Sequence, residues 1–280
     1  MFISIDVGGT NTRVASSRNL RDIDATETFP SQKILDEEKK LITQAITKLA
    51  GNNKIEATAF GVAGIVDKEK CFIKKSPNYK TINEINVKDL LGDVGQMPIY
   101  CGNDSEIACL GEATLGAGAG FRSVAYLSLG TGVGGAYIEN NQISKPSRFF
   151  EPGHQIVDLS SDIADGYGIK GSLETLISGE SFKRRYKVLP HECNDEKIWF
   201  EYGRGVGLGI HNLNMLWNPE CVVIGGGMSK YFNKFLPGVQ DFLIDLTFIA
   251  PPKILKAEFE QGSGVVGGFV LISQAIGYRR

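Results

Sequence analysis

The chain has 280 residues, a formal net charge of −2, and apolar and charged fractions of 42% and 22%. That length suits two domains of ordinary size, and the near-neutral balance gives no electrostatic reason to expect nucleic acid or an anionic membrane as a partner. No run of about 18 apolar residues marks a transmembrane helix, and the opening Met-Phe-Ile-Ser-Ile-Asp lacks the basic segment and cleavage site of a signal peptide, so a cytoplasmic chain is expected.

Residues 2–7 read as a strand that ends at Gly8-Gly9. Residues 12–16 resume as a second strand, so the two make a hairpin with glycines in its turn. Ser31 as N-cap and Gly51 beyond the end bracket a helix over 31–50, with Ile34, Leu35, Leu41, Ile42, Ala45, Ile46 and Leu49 on one face. A buried strand is expected at 56–63, ending at Gly64. Another near residue 99 leads into Gly102-Asn103-Asp104 and a helix with Ile107, Ala108, Leu110 and Gly111 inside. Strand 124–129 then ends in Gly130-Thr131-Gly132, and strand 134–138 follows. A helix near 197–216 precedes strand 221–224 and Gly225-Gly226-Gly227, and an apolar helix over about 265–278 closes the chain.

The order strand, glycine turn, strand, helix, strand, glycine turn thus occurs twice, about 120–160 residues apart, too far for a solenoid. It predicts a duplicated α/β architecture with a cleft between the copies. The first domain is expected over 1–110 together with the C-terminal helix 265–280, and the second over 111–264. Five dispersed cysteines (Cys71, Cys101, Cys109, Cys193, Cys221) without CxxC spacing read as free thiols in a reducing compartment.

The 34 glycines are clustered, which marks tight turns and places where a ligand approaches the backbone. In Asp6-Val7-Gly8-Gly9-Thr10-Asn11-Thr12-Arg13 the glycines let backbone N–H groups face a phosphate, Thr10 and Thr12 add hydroxyl donors, and Asp6 is placed to hold Mg²⁺ through water. Gly130-Thr131-Gly132 offers a second loop of this kind, and Gly225-Gly226-Gly227 a surface for a flat ring. No Walker loop is present, and the glycines at 130–135 do not open a helix, so a dinucleotide fingerprint fails on context. Asp104, where a strand passes into a helix, suits a base that takes the proton of a hydroxyl attacking a phosphate. The same Asn103-Asp104 pair also suits a helix cap. Glu151, His154 and Glu174 together can exchange hydrogen bonds with neighbouring sugar hydroxyls.

These segments resemble the ROK family of sugar kinases, within the actin, hexokinase and heat-shock ATPase superfamily. The likeness runs through residues 6–13, Gly61-Val62-Ala63-Gly64 (with Ala63 where that family has proline), Asn103 to Glu112, 129–135 and 223–229, in order along the chain. It implies two RNase-H-like domains and an ATP-dependent phosphorylation of a hexose hydroxyl, with glucose favoured. N-acetylmannosamine, N-acetylglucosamine and fructose are alternatives, and a sugar-responsive repressor lacking its DNA-binding domain is a remote one. By this resemblance Asp104 is the base, and Asn103, Glu151, His154, Glu174 and Gly64 contact the sugar. Asp6 lies near Mg²⁺, and Gly8, Gly9, Thr10, Asn11, Thr12, Arg13, Gly130, Thr131, Gly132, Gly225 and Gly226 bind ATP. A homodimer is expected from the relatives. Many members carry a zinc site of one His and three Cys. Here the Cys positions hold Asp165, Tyr167 and Ser172, so no structural zinc is expected.

Overall fold

FISIDV forms β1 (Phe2–Val7), whose side chains are almost all buried. Such a strand belongs in the middle of a sheet. It pairs antiparallel with β2 (Asn11–Ser17) on one side, and β3 (Ala25–Pro30) extends that side as an edge. The structure, a computed structural model, describes residues 1–76, 84–92, 96–143, 150–244 and 249–278. β3 reads ATETFP with no buried position, so no apolar alternation announced it in the sequence. α1 (Leu35–Ala50) begins four residues later than Ser31, and its N-cap position is Ile34, without a side-chain cap. Asp36, Glu37 and Glu38 in its first turn complement the helix dipole instead. It ends at Gly51, φ +52°, whose N–H reaches Thr47 O.

On the other side of β1 run β4 (Ala57–Val62) and, beyond it, parallel to it, the strand that leads to Asp104. Between them the chain makes β5 (Ile65–Asp67), β6 (Phe72–Lys75) and β7 (Ile85–Asn86), a small separate sheet in that order, and α2 (Val87–Leu91). β8 (Ile99–Asn103) then completes a five-stranded sheet of order β3-β2-β1-β4-β8, and α3 (Asp104–Leu115) follows without a break. One expectation is corrected here: Cys71 and Cys101 are paired as a disulfide, with Cα atoms 5.5 Å apart. The partners are 30 residues apart in sequence, so only the packing of β5 and the turn after it beside β8 brings them together. Cys109, Cys193 and Cys221 are buried and outside any disulfide.

The second half repeats the plan. β9 (Ser123–Leu129) pairs antiparallel with β10 (Val133–Glu139), and β11 (Gln142–Ile143) lies beyond. After α4 (Leu173–Ile177), α5 (Gly179–Tyr186) and α6 (Glu196–Trp217), β12 (Cys221–Gly225) runs parallel to β9. α7 (Phe232–Ile244) leads to β13 (Lys253–Lys256), parallel to β12, and the sheet order is β11-β10-β9-β12-β13. The core on this sheet is aromatic: Phe182, Trp199, Tyr202 and Phe235 are all fully buried or nearly so, and the Tyr202 hydroxyl donates to Ile177 O at 2.8 Å.

Four of the clustered glycines serve helix packing. Gly203 and Gly207 sit four apart in α6, where a Cβ would collide with Phe235 O or Phe242 of α7. Gly205 and Gly209 face Leu176, Ile177 and Leu173 across the helix. Each glycine costs the helix about 1 kcal/mol relative to alanine, and close packing against α4 and α7 offsets that cost. The last helix, α8 (Ser263–Ala275), packs on β1 and β4 of the first sheet. The chain divides into two compact units, one built chiefly of Met1–Thr114 and Gly262–Arg280, the other of Leu115–Gln142 and Phe150–Gln261.

Candidate active site

β1, β4 and β8 are mutually parallel and end at one edge of their sheet, the usual place for ligands in α/β sheets. Asp6, Gly64, Asn103 and Asp104 lie at or just past those ends. Asn103 is the cap of α3: its Oδ1 accepts from the amides of Ser105 (2.9 Å) and Glu106 (3.2 Å). Its Nδ2 donates to Gly64 O at 3.1 Å. Gly64 has φ +129°, and a Cβ there would strike Lys75 O, so only glycine fits. The Asn103 side chain therefore ties the end of β4 to the end of β8, and one amide hydrogen is what it has left to offer a ligand.

Asp104 Oδ1 accepts from the Ser105 amide at 2.8 Å. Burial lifts its carboxyl to a pKa of about 6, against the hydrogen bonds from Ser105 and with some help from the charge of Glu106. Asp6 is lifted further, to about 7, by burial and by the charge of Asp104, with Arg13 acting in the opposite sense. Arg13 faces Asp6 across the hairpin, Nη1 to Oδ2 3.8 Å. Gly264, in the first turn of α8, makes room for the Asp6 carboxyl, which a Cβ would approach to 2.5 Å. Two buried carboxylates that repel each other, with a single arginine in opposition, are an oxygen donor set a hard divalent cation would relieve, so Mg²⁺ fits here.

A charged pair that sequence reasoning missed lies beside them. Lys68, in the turn after β5, donates to Glu106 Oε1 at 2.8 Å, both side chains being nearly buried. Among the described residues Glu106 Oε2 is buried with no partner. Glu106 lies within the Asn103 to Glu112 segment, but nothing in its spacing points to Lys68, 38 residues away.

In the first glycine turn, Gly9 and Thr10 are exposed at the tip and Gly8 N–H donates to Asn11 O at 3.1 Å. The turn is fastened from outside. Ser31 Oγ donates to Gly8 O (2.8 Å), Ser31 N–H to Thr10 O (3.0 Å), and Lys33 Nζ to Gly9 O (3.4 Å). Thr12 corrects an expectation. Its side chain is fully buried and its hydroxyl donates to Glu38, itself fully buried, so it offers nothing to a phosphate. The register puts Thr12 opposite Val7, on the inner face of the hairpin. Asn11, half-buried at the start of β2, stays at the turn.

In the second unit, Thr131 is exposed at the tip of the β9–β10 turn, with Gly130 N–H bonded to Gly132 O at 2.9 Å. Gly179 N–H, opening α5, donates to Gly130 O at 2.7 Å. Glu174 Oε2 accepts from Val133 N–H at 2.8 Å and its Oε1 from Gly166 N–H at 3.4 Å, so this half-buried carboxylate fixes the turn. Glu151 is exposed ahead of the short 3₁₀ turn Pro152–His154. His154 Nδ1 lies 2.8 Å from Asp165 Oδ2. At the end of β12, Gly225 is a glycine because a Cβ would overlap Tyr126, and Gly226, φ +78°, because one would overlap Leu129. Gly227 alone of the three opens onto free space.

The three Cys positions of the family's zinc site hold Asp165, Tyr167 and Ser172. His154, Asp165 and Glu174 can each offer a donor atom within 4.8 Å of the other two. His154 Nδ1 and Asp165 Oδ2 stand at hydrogen-bond distance, 2.8 Å. Tyr167 presents a ring edge to His154 at 4.8 Å rather than an oxygen ligand.

The sequence matches the ROK family profile over residues 2–275. It is 27% identical to a glucokinase of Halalkalibacterium halodurans, covering 98% of this chain and 95% of that one. It is 24% identical to a xylose repressor of Caldicellulosiruptor bescii over 92% of this chain and 73% of that one. Among solved structures, a ROK family glucokinase of Streptomyces griseus in complex with glucose and AMPPNP superposes with a TM-score of 0.84 at 24% identity, over 96% of this chain and 98% of that one. No described helix is long and apolar enough to cross a membrane.

Proposed function

Because the chain belongs to the ROK family, we propose that it transfers the γ-phosphoryl group of ATP to a hydroxyl of a hexose, glucose first among the candidates, with Asp104 as the general base. The observation that carries this reading is Asp104 itself: a carboxyl at the end of β8, held by Ser105 and lifted to about 6. At neutral pH it is ionised and still basic enough to take a proton as a hydroxyl attacks. The sugar oxygen bonds to the γ-phosphorus as the bond to the β,γ-bridging oxygen breaks. ADP leaves, and the hydroxyl proton passes to Asp104.

On this reading the turns at Gly8, Gly9 and Thr10 and at Gly130, Thr131 and Gly132 bind phosphate, assisted by Arg13 and Asn11, and the 225–227 turn meets the adenosine. Asp6 would hold Mg²⁺, which would supply charge neutralisation to the phosphates. Asn103, Gly64, Glu151, His154 and Glu174 receive the sugar. Two RNase-H-like domains are the arrangement this function needs, and the repeated order of the two sheets supports it. The likeness to a repressor favours no second reading, since sugar sensing alone does not need a base of raised pKa.

The test is ADP release with Mg-ATP against glucose, mannose, fructose, N-acetylglucosamine, N-acetylmannosamine and no sugar. Glucose is expected to stimulate most. Asp104→Ala is expected to lower turnover by about 10²–10⁴-fold with sugar binding, by calorimetry, largely kept. Near-normal turnover of that variant would remove Asp104 from the base role, and no stimulation by any sugar would sink the kinase reading.

A further inference from the structure

The surroundings of His154 fix the polarity of one hydrogen bond. The ring follows the short turn after Pro152, with its Nδ1 2.8 Å from Asp165 Oδ2. The Asp165 side chain is wholly shielded from solvent, while that of His154 keeps 16% exposure. Asp165 Oδ1 accepts from the amides of Tyr167 (2.9 Å) and Ile169 (3.0 Å). The turn is closed by Asp165 N–H to Ile169 O and Gly168 N–H to Asp165 O, both 3.0 Å. The carboxylate cannot swing away from the ring without breaking these bonds. Tyr167, edge-on to the imidazole, restricts its tilt.

An ionised carboxylate only accepts. Facing Nδ1, it holds the imidazole proton there and leaves a lone pair on Nε2. Among the described residues no protein group bonds Nε2. We propose that Asp165 is a positioning residue that keeps His154 in the Nδ1–H tautomer, so that Nε2 is an acceptor and selects a ligand hydroxyl that donates its hydrogen. A direct Asp165–His154 bond therefore orients this ring without a metal. The identity of the hydroxyl as a sugar's rests on the kinase reading above; the tautomer does not.

The experiment is ¹⁵N NMR of the imidazoles in the full chain at pH 8, where only His154, His191 and His211 contribute and His154→Asn assigns the resonance. The expected spectrum has a protonated Nδ1 and an unprotonated Nε2 for His154, unchanged by one equivalent of Zn²⁺. Asp165→Ala is expected to move the ring to the Nε2–H form and to raise the KM for sugar about tenfold, within the usual range for residues that orient a ligating histidine, with the KM for ATP little changed. Asp165→Asn keeps a single oxygen: on the two amides it holds the turn, but its Nδ2 then donates to His154 Nδ1, so the ring is expected in the Nε2–H form with a raised sugar KM although the turn is intact. An Nε2–H or doubly protonated His154 in the wild type overturns the proposal, as does zinc binding at Nδ1. So does an Asp165→Ala variant whose tautomer is unchanged while both KM values rise and kcat falls. If no sugar stimulates ADP release, the kinase reading fails while the NMR result still decides the tautomer.

Discussion

Asp104 keeps its proton up to a pH of about 6, and Asp6 up to about 7, from an ordinary value of 3.8. A carboxyl whose folded pKa is raised binds its proton more tightly in the folded state. Its full contribution to stability is present below the unfolded value and is lost as pH rises from there through the folded value. The two residues therefore oppose folding at neutral pH, in the window between about 4 and 7, while making the site chemically useful. In the metal-free protein Asp104→Asn retains the oxygen that accepts from Ser105 and removes the buried charge. Its Tm by circular dichroism is expected to exceed the wild type's at pH 8 and to match it near pH 4, with turnover lost. A lower Tm at pH 8 would mean that surrounding groups favour the ionised form. Asn103 and Gly64 carry a related lesson: two residues chosen as sugar contacts bond first to each other, and so place Asp104 by holding β4 against β8.

At the scale of elements, the first hairpin is held by α1. Glu38 accepts from the Thr12 hydroxyl and, through its other oxygen, from Gln32 N–H at 2.7 Å. Ser31, expected as the cap of α1, bonds instead to Gly8 O and lies 2.9 Å from Thr12 Oγ1. Glu38→Ala would leave these donors buried and unpaired, at a cost of about 1–3 kcal/mol, read by urea unfolding. Because the exposed tip at Gly9 and Thr10 is braced by this network, the same variant is expected to raise the KM for ATP several-fold while leaving that for sugar unchanged. An unchanged KM for ATP in a destabilised protein would show that the tip keeps its shape without Glu38. The hairpin itself was legible in the sequence because a glycine turn between short apolar strands is a local signal. Glu38 was not, because its partners lie 26 and 6 residues away.

Across the whole molecule each unit has a core of its own. One gathers Ile3, Ile5, Val14, Ile42, Ile46 and Phe60, and the other Phe182, Trp199, Tyr202, Ile210 and Phe235. Both tryptophans, Trp199 and Trp217, belong to the second unit, so tryptophan fluorescence reports that unit alone. Phe182 is fully buried and its ring centroid lies 4.7 Å from that of Trp199. Phe182→Ala should destabilise the second unit by about 3–5 kcal/mol and lower the fluorescence midpoint in urea. A midpoint equal to the wild type's would show that the aromatic cluster closes over the cavity.

The residues by themselves determined what depends on neighbours in sequence. These are the β1 turn, the strand ends at Gly64 and Asp104, the two glycine turns, the repetition of one plan in both halves, and the loss of the cysteines a zinc site requires. Only the tertiary structure decided what depends on residues brought together from afar. The Cys71–Cys101 pair, the polar edge strand β3 and the docking of α8 on the first sheet are of this kind. So are the inward turn of Thr12, the helix-packing role of the α6 glycines, the Lys68–Glu106 pair and the Asp165 carboxylate on His154. A glycine or a carboxylate has the same one-letter signature whether it meets a ligand, a helix or a buried hydrogen-bond donor. Burial and direction distinguish these cases, and both are properties of the packed chain.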